Sequence, residues 1–209
     1  MYLSPFRVSG CRRSSAGGSR RTLFSLAVLA CLAFAALTVH AQTQYQINPA
    51  SSKVAFDLGG FHEVNGIFQV TSGQISFYRK TGKMTGAIVV SAGSGNSGDS
   101  ARDNVMKKNE LHVSKFPQIT FAPSQFTGTL NASGESTLQV HGTFTLIGKP
   151  HEIVVPMTVQ VSGNQCTAKG TFTIPYVSWG MKQPSMMFMK EAKDVKIDVT
   201  FEGTLLEGK

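Results

Sequence analysis

Few residues of this chain are of types that carry out chemistry, and their spacing assembles no catalytic or metal site. Beyond residue 41 there are four histidines and one cysteine: His62, His112, His141, His151 and Cys166. No HExxH, CxxC, nucleophile-elbow or paired-carboxylate pattern accompanies them. We expect His141 and His151 to face solvent roughly 20 Å apart on one hairpin, too far to share a metal. Cys166 is predicted to be an inert thiol without a disulfide partner. The sequence therefore predicts neither an enzyme nor a metalloprotein.

The chemistry that the sequence offers in quantity is the burial of apolar surface. Around residues 136–162, apolar side chains occupy even positions of a first segment and odd positions of a second, namely Leu138, Val140, Phe144 and Leu146, then Ile153, Val155, Met157, Val159 and Val161. A period of two predicts half-buried strands. The two apolar sets face each other only if paired residue numbers add to an odd number. The stretch therefore predicts an antiparallel hairpin with one apolar face.

Two turns satisfy that condition for the hairpin. A four-residue loop from Gly148 to His151 pairs Leu146 with Ile153, whereas a two-residue Gly148-Lys149 turn places glycine at the first central position of a type II′ turn. Both are left open at this point. Gly142 and Pro156 interrupt the two arms and indicate bends. Because bent, amphipathic strands belong to curled sheets, we expect a closed or nearly closed antiparallel barrel.

The remainder of the chain from Tyr45 shows the same alternation in short segments separated by turn residues. The apolar repeats lie at 53–58, 64–70, 75–77, 84–90, 119–130, 168–174 and 195–201. Strands so closely spaced are joined by hairpins, which excludes a doubly wound parallel sheet. A Gly/Ser-rich loop at 91–100 precedes the single predicted helix, Ala101 to Asn109, with Ser100 as its cap and Asp103 in its first turn. The sequence thus predicts one all-β domain with one short helix.

Residues 1–41 are predicted to be an export signal peptide, which leaves residues 42–209 as the folded domain. Five arginines precede a 17-residue apolar run, Leu23 to Val39, and Val39-His40-Ala41 is a small-residue cleavage pattern. The run is shorter than the ~20 residues of a spanning helix, which disfavours an uncleaved anchor. Ser19 to Phe24 also resembles a twin-arginine export motif, so the export route stays open. Either route predicts a periplasmic or secreted protein.

The charge of the chain changes when the signal is set aside. Five of its 20 basic residues and none of its 12 acidic residues lie within residues 1–41, which leaves 15 basic and 12 acidic residues and a net charge of +3. Nucleic-acid-binding domains usually carry a concentrated basic stripe. The remaining lysines are scattered, so we expect no nucleic-acid partner.

Four segments together resemble a known family. They are Val64-Asn65-Gly66-Ile67-Phe68; Arg102-Asp103 with Leu111 and Phe116-Pro117-Gln118-Ile119-Thr120-Phe121; the hairpin from Val140 to Pro150; and Trp179-Gly180-Met181 followed by Asp194-Val195-Lys196-Ile197. In this order the chain resembles the YceI-like family of polyisoprenoid-binding, lipocalin-like proteins from Tyr45 to Leu206. It departs from the family at 176–178, where members often carry arginine. The resemblance implies an eight-stranded antiparallel barrel that holds a long isoprenoid chain or a quinone in an apolar interior.

The candidate ligand-binding residues are the inward-facing apolar positions. They are Val54, Phe56, Phe68, Phe77, Val140, Phe144, Phe172, Trp179 and Phe201, with Gly142 included because it leaves room for close approach of the ligand. Their alternative role is that of an ordinary, solid core. Arg102 and Asp103, at the helix start, are candidates for contact with a pyrophosphate or quinone head group. The alternative for this pair is a structural ion pair that anchors the loop.

Three functions follow from these readings. The first is an exported, non-catalytic binding or carrier protein for an isoprenoid lipid, with no other cofactor and no membrane span after signal cleavage. The second is an envelope stress or structural barrel without a bound lipid, and the third is an enzyme on a barrel scaffold. The sequence leaves open the length and head group of the ligand, whether the 91–100 loop gates entry, and whether the barrel forms a homodimer.

Overall fold

The computed structural model describes residues 42–60, 63–186 and 189–208, and these form an almost entirely β-stranded chain. The predicted signal peptide and His62 lie outside the described residues. The strands are β1 (Thr43–Ile47), β2 (Lys53–Leu58), β3 (Val64–Phe68), β4 (Val70–Phe77), β5 (Met84–Ser91), β6 (Gln118–Thr127), β7 (Gly134–Leu146), β8 (Lys149–Ser162), β9 (Gln165–Ile174), β10 (Ser185–Met186), β11 (Met189–Lys190) and β12 (Val195–Glu207). The helix α1 (Ser100–Val105) continues into a π-helical turn, Met106–Glu110, and short 3₁₀ turns cover Pro49–Ser51 and Ala92–Ser94.

The main sheet closes on itself as an eight-stranded antiparallel barrel, as predicted. Its strand order is β1-β4-β5-β6-β7-β8-β9-β12, and β12 pairs back with β1. β2 pairs with the first half of β12 and β1 with the second half, so β1 and β2 act as one bent strand. β3 and β4 are likewise interrupted only at Gln69. Closure removes the exposed sheet edges that an open sheet of this length would present.

The two ends of the barrel differ in how their strands are connected. At one end, here called the turn end, short connections at 78–83, 128–133 and 163–164 join the strands. The first residue of β1 and the last residue of β12 also lie at this end. The other end, here called the loop end, carries the connections at 59–63, 92–117, 147–148 and 175–194, which include α1 and the π-helical turn. Most of the irregular structure therefore lies over one end of the barrel.

The β7–β8 hairpin has the predicted apolar face but neither of the two predicted turns. Leu146 pairs with Lys149 across a two-residue turn of Ile147 and Gly148. Both turn residues have positive φ, 46° and 72°, as a type I′ turn requires. The sequence reading placed glycine at the first central position and did not expect isoleucine in the left-handed region. The odd-sum rule nevertheless holds, since Val140 faces Val155 and Leu138 faces Met157.

Gly142 and Pro156 both lie where the regular hydrogen-bonded pairing of neighbouring strands is interrupted. Opposite Gly142, β6 carries an irregularity between Pro123 and Gln125. A Cβ atom at Gly142 would lie 2.6 Å from the Ala122 carbonyl oxygen, so the close approach at this glycine is made by the β6 backbone. β8 pairs with β9 only from Met157 onward, so Pro156 stands where the two strands part. This separation leaves a gap in the barrel wall near the loop end.

Helix α1 begins one residue earlier than its predicted cap implies. The Asp99 side chain accepts hydrogen bonds from the backbone N–H groups of Ala101 and Arg102, so Asp99, and not Ser100, is the cap. The regular α-helix ends at Val105. The Leu111 N–H then donates to the Met106 carbonyl oxygen at 2.9 Å, five residues back, which defines the π turn.

Candidate functional site

An apolar cavity of about 900 Å³ runs inside the barrel. Its lining extends from Val161, Cys166 and Leu205 at the turn end to α1 at the loop end. The exposed residues of the lining all lie at the loop end, and they are Glu63, Asp99, Ala101, Arg102 and Val105. We call this set the cavity mouth. The interior is thus a blind tube that is closed at the turn end and open between the loops of the other end.

Most of the predicted ligand-contacting residues line this cavity. Eight of the ten side chains do so: Val54, Phe56, Phe68, Phe77, Val140, Phe144, Phe172 and Phe201. They come from six different strands, and their common orientation follows from the alternation of side chains along each strand. Phe56 and Phe68 pack together with ring centroids 5.3 Å apart, and Phe144 and Phe172 at 6.2 Å. The sequence pattern was sufficient to place this set on the inner wall.

Gly142 and Trp179 are not part of the cavity lining, contrary to the prediction. Gly142 faces inward, but the β6 backbone and Phe121 occupy the space beside it. The Trp179 ring stacks on His151, with centroids 4.0 Å apart and planes 5° apart, and lies 5.9 Å from the Phe144 ring. Trp179 therefore packs behind Phe144, in the gap where β8 parts from β9. These two residues support the wall instead of forming its inner surface.

His151 also differs from its prediction. It lies on the same face as Phe144, its partner in the ladder, and it is half-buried beneath Trp179, with its Nε2 atom buried and without a hydrogen-bond partner among the described residues. The expectation that it faces solvent was wrong. The actual turn also sets His141 against Val154, three pairs from His151, so the two histidines lie nearer than the predicted ~20 Å.

Arg102 and Asp103 do not contact each other as an ion pair; both bind Ser97. The Asp103 carboxylate accepts hydrogen bonds from the Ser97 N–H (2.9 Å) and hydroxyl (2.6 Å), and these bonds hold the pKa of Asp103 below its usual value. Arg102 donates from Nε to the Ser97 hydroxyl and from Nη2 to the Ser97 carbonyl oxygen, both at 2.8 Å. Asp103 is buried and does not line the cavity, whereas Arg102 lies at its mouth. Together the pair anchors the 91–100 loop.

Besides the exposed Glu63 and Asp99, three less exposed titratable residues that the sequence did not point to line the cavity at the loop end: Glu110, Tyr176 and Glu191. Glu110 is buried, and the Oε2 atoms of both Glu110 and Glu191 are buried without a hydrogen-bond partner among the described residues. The Tyr176 hydroxyl donates to the Ala192 carbonyl oxygen at 2.6 Å. Nothing in the sequence signalled this group, because its members lie far apart along the chain and Glu110 follows two lysines in what reads as a solvated helix.

Burial controls the protonation of these groups. Desolvation raises the pKa of Glu110 above its usual value, although the nearby Lys182 and His112 side chains act in the opposite direction. Burial also raises the pKa of Tyr176 to about 12, with further contributions from the negative charges of Glu110, Glu191 and Asp194. Deep in the cavity, burial raises the pKa of the Cys166 thiol to about 11, so this group is protonated at neutral pH.

The charged residues of the cavity lining are mostly acidic. Glu63, Asp99, Glu110 and Glu191 contribute carboxyl groups, and Arg102 is the one basic residue of the described lining. Across residues 42–60, 63–186 and 189–208, no three His, Cys, Asp or Glu side chains converge as a metal site. None of the helices in the described part of the chain has the length and apolar character needed to span a bilayer.

A closed eight-stranded antiparallel barrel with an apolar interior open at one end defines a lipocalin-like protein. The sequence profile of the YceI-like domain matches residues 45–203, so the chain belongs to that family. No curated protein sequence matches the chain significantly.

Solved structures share the fold. Burkholderia cenocepacia BcnA has a TM-score of 0.63 and 22% identity, with 76% of this chain and 99% of that chain covered. A polyisoprenoid binding domain from Saccharophagus degradans implicated in plant cell wall breakdown has a TM-score of 0.56 and 15% identity, with 77% and 98% covered. A Campylobacter jejuni YCEI protein has a TM-score of 0.52 and 15% identity, with 64% and 80% covered. At these identities the likeness concerns the fold alone.

Proposed function

We propose that this protein is an exported, non-catalytic binding protein that sequesters or carries a long-chain isoprenoid lipid, of the polyprenyl or quinone type, inside its barrel. The observation that carries the proposal is the apolar cavity of about 900 Å³ with its single-ended opening. This volume is near the upper end of the ~300–1,000 Å³ that small-ligand sites usually have. Each CH₂ group moved from water into such a tube gains ~0.8 kcal/mol, so a long hydrocarbon tail needs few polar contacts.

Two further observations support an isoprenoid over other apolar ligands. The chain belongs to the YceI-like family, and a structure of the same fold is a polyisoprenoid binding domain. Export to the periplasm or beyond the cell is part of the proposal and depends on removal of residues 1–41. The protein would act without another cofactor and without binding nucleic acid.

The alternative, an envelope barrel with a structural or stress-related role and no lipid, predicts a solid core. The cavity favours the lipid-binding function over it, because a packed interior contains few voids larger than a water molecule. Mass spectrometry of an organic extract of the purified protein distinguishes the lipid-binding function from the structural or stress-related one. We expect a prenyl lipid or quinone in the extract, and a clean extract together with no binding of an apolar fluorescent probe would refute the proposal.

A pair of neighbouring substitutions tests whether the cavity is the binding site. Val140 lines the cavity, and the adjacent Gln139 faces outward on the same strand. We expect Val140→Phe to weaken displacement of an apolar fluorescent probe by a prenyl lipid about tenfold or more, because the larger ring narrows the tube. Gln139→Phe introduces the same ring outside and should bind like wild type. Equal binding by both variants, with unchanged melting temperatures, would place the site elsewhere.

A further inference from the structure

Glu110 is an unusual residue for the wall of an apolar tube. The residue is only 7% exposed, it lines the cavity, and its Oε2 atom has no hydrogen-bond partner among the described residues. Burying a carboxyl group without a partner is unfavourable, and most buried polar groups in native proteins are satisfied. A buried, unsatisfied acid in a ligand cavity indicates that a hydrogen-bond partner arrives with the ligand.

The residues around Glu110 limit what that partner can be. Tyr176 and Glu191 also line this part of the cavity, and the negative charges of both Glu110 and Glu191 act on Tyr176. The Tyr176 hydroxyl already donates to the Ala192 carbonyl oxygen. Glu191 adds a second carboxyl with a buried, unpartnered oxygen. The groups that remain for a ligand in this part of the cavity are therefore the carboxyl groups and the Tyr176 hydroxyl as an acceptor.

The surrounding charges disfavour an anionic head group. Glu63 and Asp99 at the mouth add two more carboxylates. Arg102 directs its Nε and Nη2 atoms to Ser97, and Lys182 and His112, which act on Glu110, are exposed side chains outside the cavity lining. A pyrophosphate placed in this part of the cavity would be repelled by any ionised carboxylate there, and such repulsion is strong at low dielectric constant.

We propose that Glu110 is the head-group contact of the cavity and that it selects an isoprenoid lipid with an uncharged, oxygen-bearing head, such as a quinone carbonyl or a prenyl alcohol, over a prenyl pyrophosphate. When Glu110 is protonated, its carboxyl group donates a hydrogen bond to a carbonyl or hydroxyl oxygen, and its second oxygen accepts one from a hydroxyl. This inference rests on the proposed function, since it requires the prenyl tail to occupy the tube. It also replaces Arg102 and Asp103, the residues first considered for this role.

The test compares four ligands that share a tetraprenyl tail: the alcohol, the quinone, the pyrophosphate and the hydrocarbon without a head group. Each displaces an apolar fluorescent probe from the delipidated wild-type protein and from Glu110→Gln and Glu110→Leu. Glu135 is exposed on the outside of β7, so Glu135→Gln and Glu135→Leu are the matched controls. All measurements use the same ionic strength, because charge effects depend on screening.

For wild type we expect the alcohol and the quinone to bind about tenfold or more tighter than the pyrophosphate. Glu110→Leu should bind the alcohol and the quinone about tenfold more weakly, at the level of the hydrocarbon. Glu110→Gln keeps a donor and an acceptor and cannot ionise, so it should retain the affinity for the alcohol and the quinone. The Glu135 controls should match wild type. Unchanged alcohol and quinone binding by Glu110→Leu, or a wild-type preference for the pyrophosphate, would overturn the proposal.

A pH series keeps the test decisive if Glu110→Leu fails to fold. Wild-type affinity for the quinone should fall as the pH rises and Glu110 loses its proton, whereas Glu110→Gln should bind the quinone equally across the series. The same fall in both proteins would overturn the proposal. The hydrocarbon separates this inference from the function on which it rests. If wild type does not bind even the hydrocarbon, the proposed function fails; if it binds all four ligands equally, only the head-group assignment fails.

Discussion

The two ends of the barrel treat buried polar groups in opposite ways. At the turn end, the buried Tyr45 hydroxyl donates to the Phe201 carbonyl oxygen at 2.8 Å, with the Cys166 carbonyl oxygen 3.1 Å away. At the loop end, the buried Tyr176 hydroxyl is satisfied in the same way, but Glu110 and Glu191 beside it each keep an unpartnered oxygen. At the turn end the buried hydroxyl has its hydrogen bond within the protein. At the loop end two buried carboxyl oxygens beside the cavity have no partner among the described residues.

The surface groups sharpen the contrast. At the turn end Arg79 bridges the Glu207 carboxylate (3.1 Å) and the Asn131 carbonyl oxygen (3.3 Å), and the Thr43 hydroxyl donates to Glu207 at 2.8 Å. The exposed lining residues at the loop end include no comparable closed network; there Arg102 and Asp103 both bind Ser97 and hold one loop. The turn end thus closes the barrel with hydrogen-bonded polar groups, whereas the loop end carries the opening of the cavity.

The largest expected difference between the two ends is in the free energy of unfolding lost when an apolar side chain is truncated. Ile47 is 1% exposed in the half of the barrel that includes the turn end, and Ile47→Ala should lower the free energy of unfolding by about 2–5 kcal/mol through cavity formation. Val105 is 50% exposed at the mouth, and Val105→Ala should change it by less than about 0.5 kcal/mol. Urea unfolding measures both. A similar loss for the two variants would show that the ends do not differ in their contribution to stability.

A smaller effect is expected at the loop anchor. Ser97→Ala removes the hydroxyl hydrogen bond to the buried Asp103 carboxylate, keeps the one from the backbone N–H, and should destabilise the protein by about 1–3 kcal/mol. Ser100→Ala is the control, because Asp99 caps the helix; its cost should stay below about 0.5 kcal/mol. Hydrogen exchange of the 91–100 segment should rise in Ser97→Ala alone. Equal protection in both variants would contradict the anchoring role of Ser97.

The smallest effect concerns the pH dependence of stability, and it has opposite sign at the two ends. Because desolvation raises the pKa of Glu110, its contribution is favourable below the unfolded-state pKa and is lost as the pH rises through the folded-state pKa. Hydrogen bonds from Thr43 and Arg79 lower the pKa of Glu207, so its contribution is present above the unfolded-state pKa and is lost as the pH falls through the folded-state pKa.

Urea unfolding between about pH 3 and pH 7 measures this difference. As the pH rises, wild type should lose stability relative to Glu110→Gln and gain stability relative to Glu207→Gln. The Glu207 effect should be the weaker, since its side chain is 59% exposed and solvent screens its interactions. If the free energy of unfolding of both variants changed with pH in the same direction relative to wild type, the pKa values of the two carboxyl groups would be shifted in the same direction.

Much of the wall was predictable because a strand's side chains alternate between its faces. Period-two patterns placed eight apolar side chains on the lining and required the odd-sum register that pairs Val140 with Val155. The turn itself was not predictable, because a positive φ at Ile147 is unfavourable locally and is imposed by the ladders on either side. The role of Trp179 was missed for a similar reason: the gap that it fills exists only once β8 and β9 have parted.

The sequence by itself determined antiparallel strands with one apolar face, because alternation and short turns are local properties of the chain. Tertiary structure alone decided what lies at the mouth. Glu110, Tyr176 and Glu191 come from a π-helical turn and from two parts of the β9–β12 connection, and they meet only because barrel closure gathers these segments over one end. Whether the two carboxyl oxygens are buried depends on which distant segments cover them. No local sequence pattern specifies those segments.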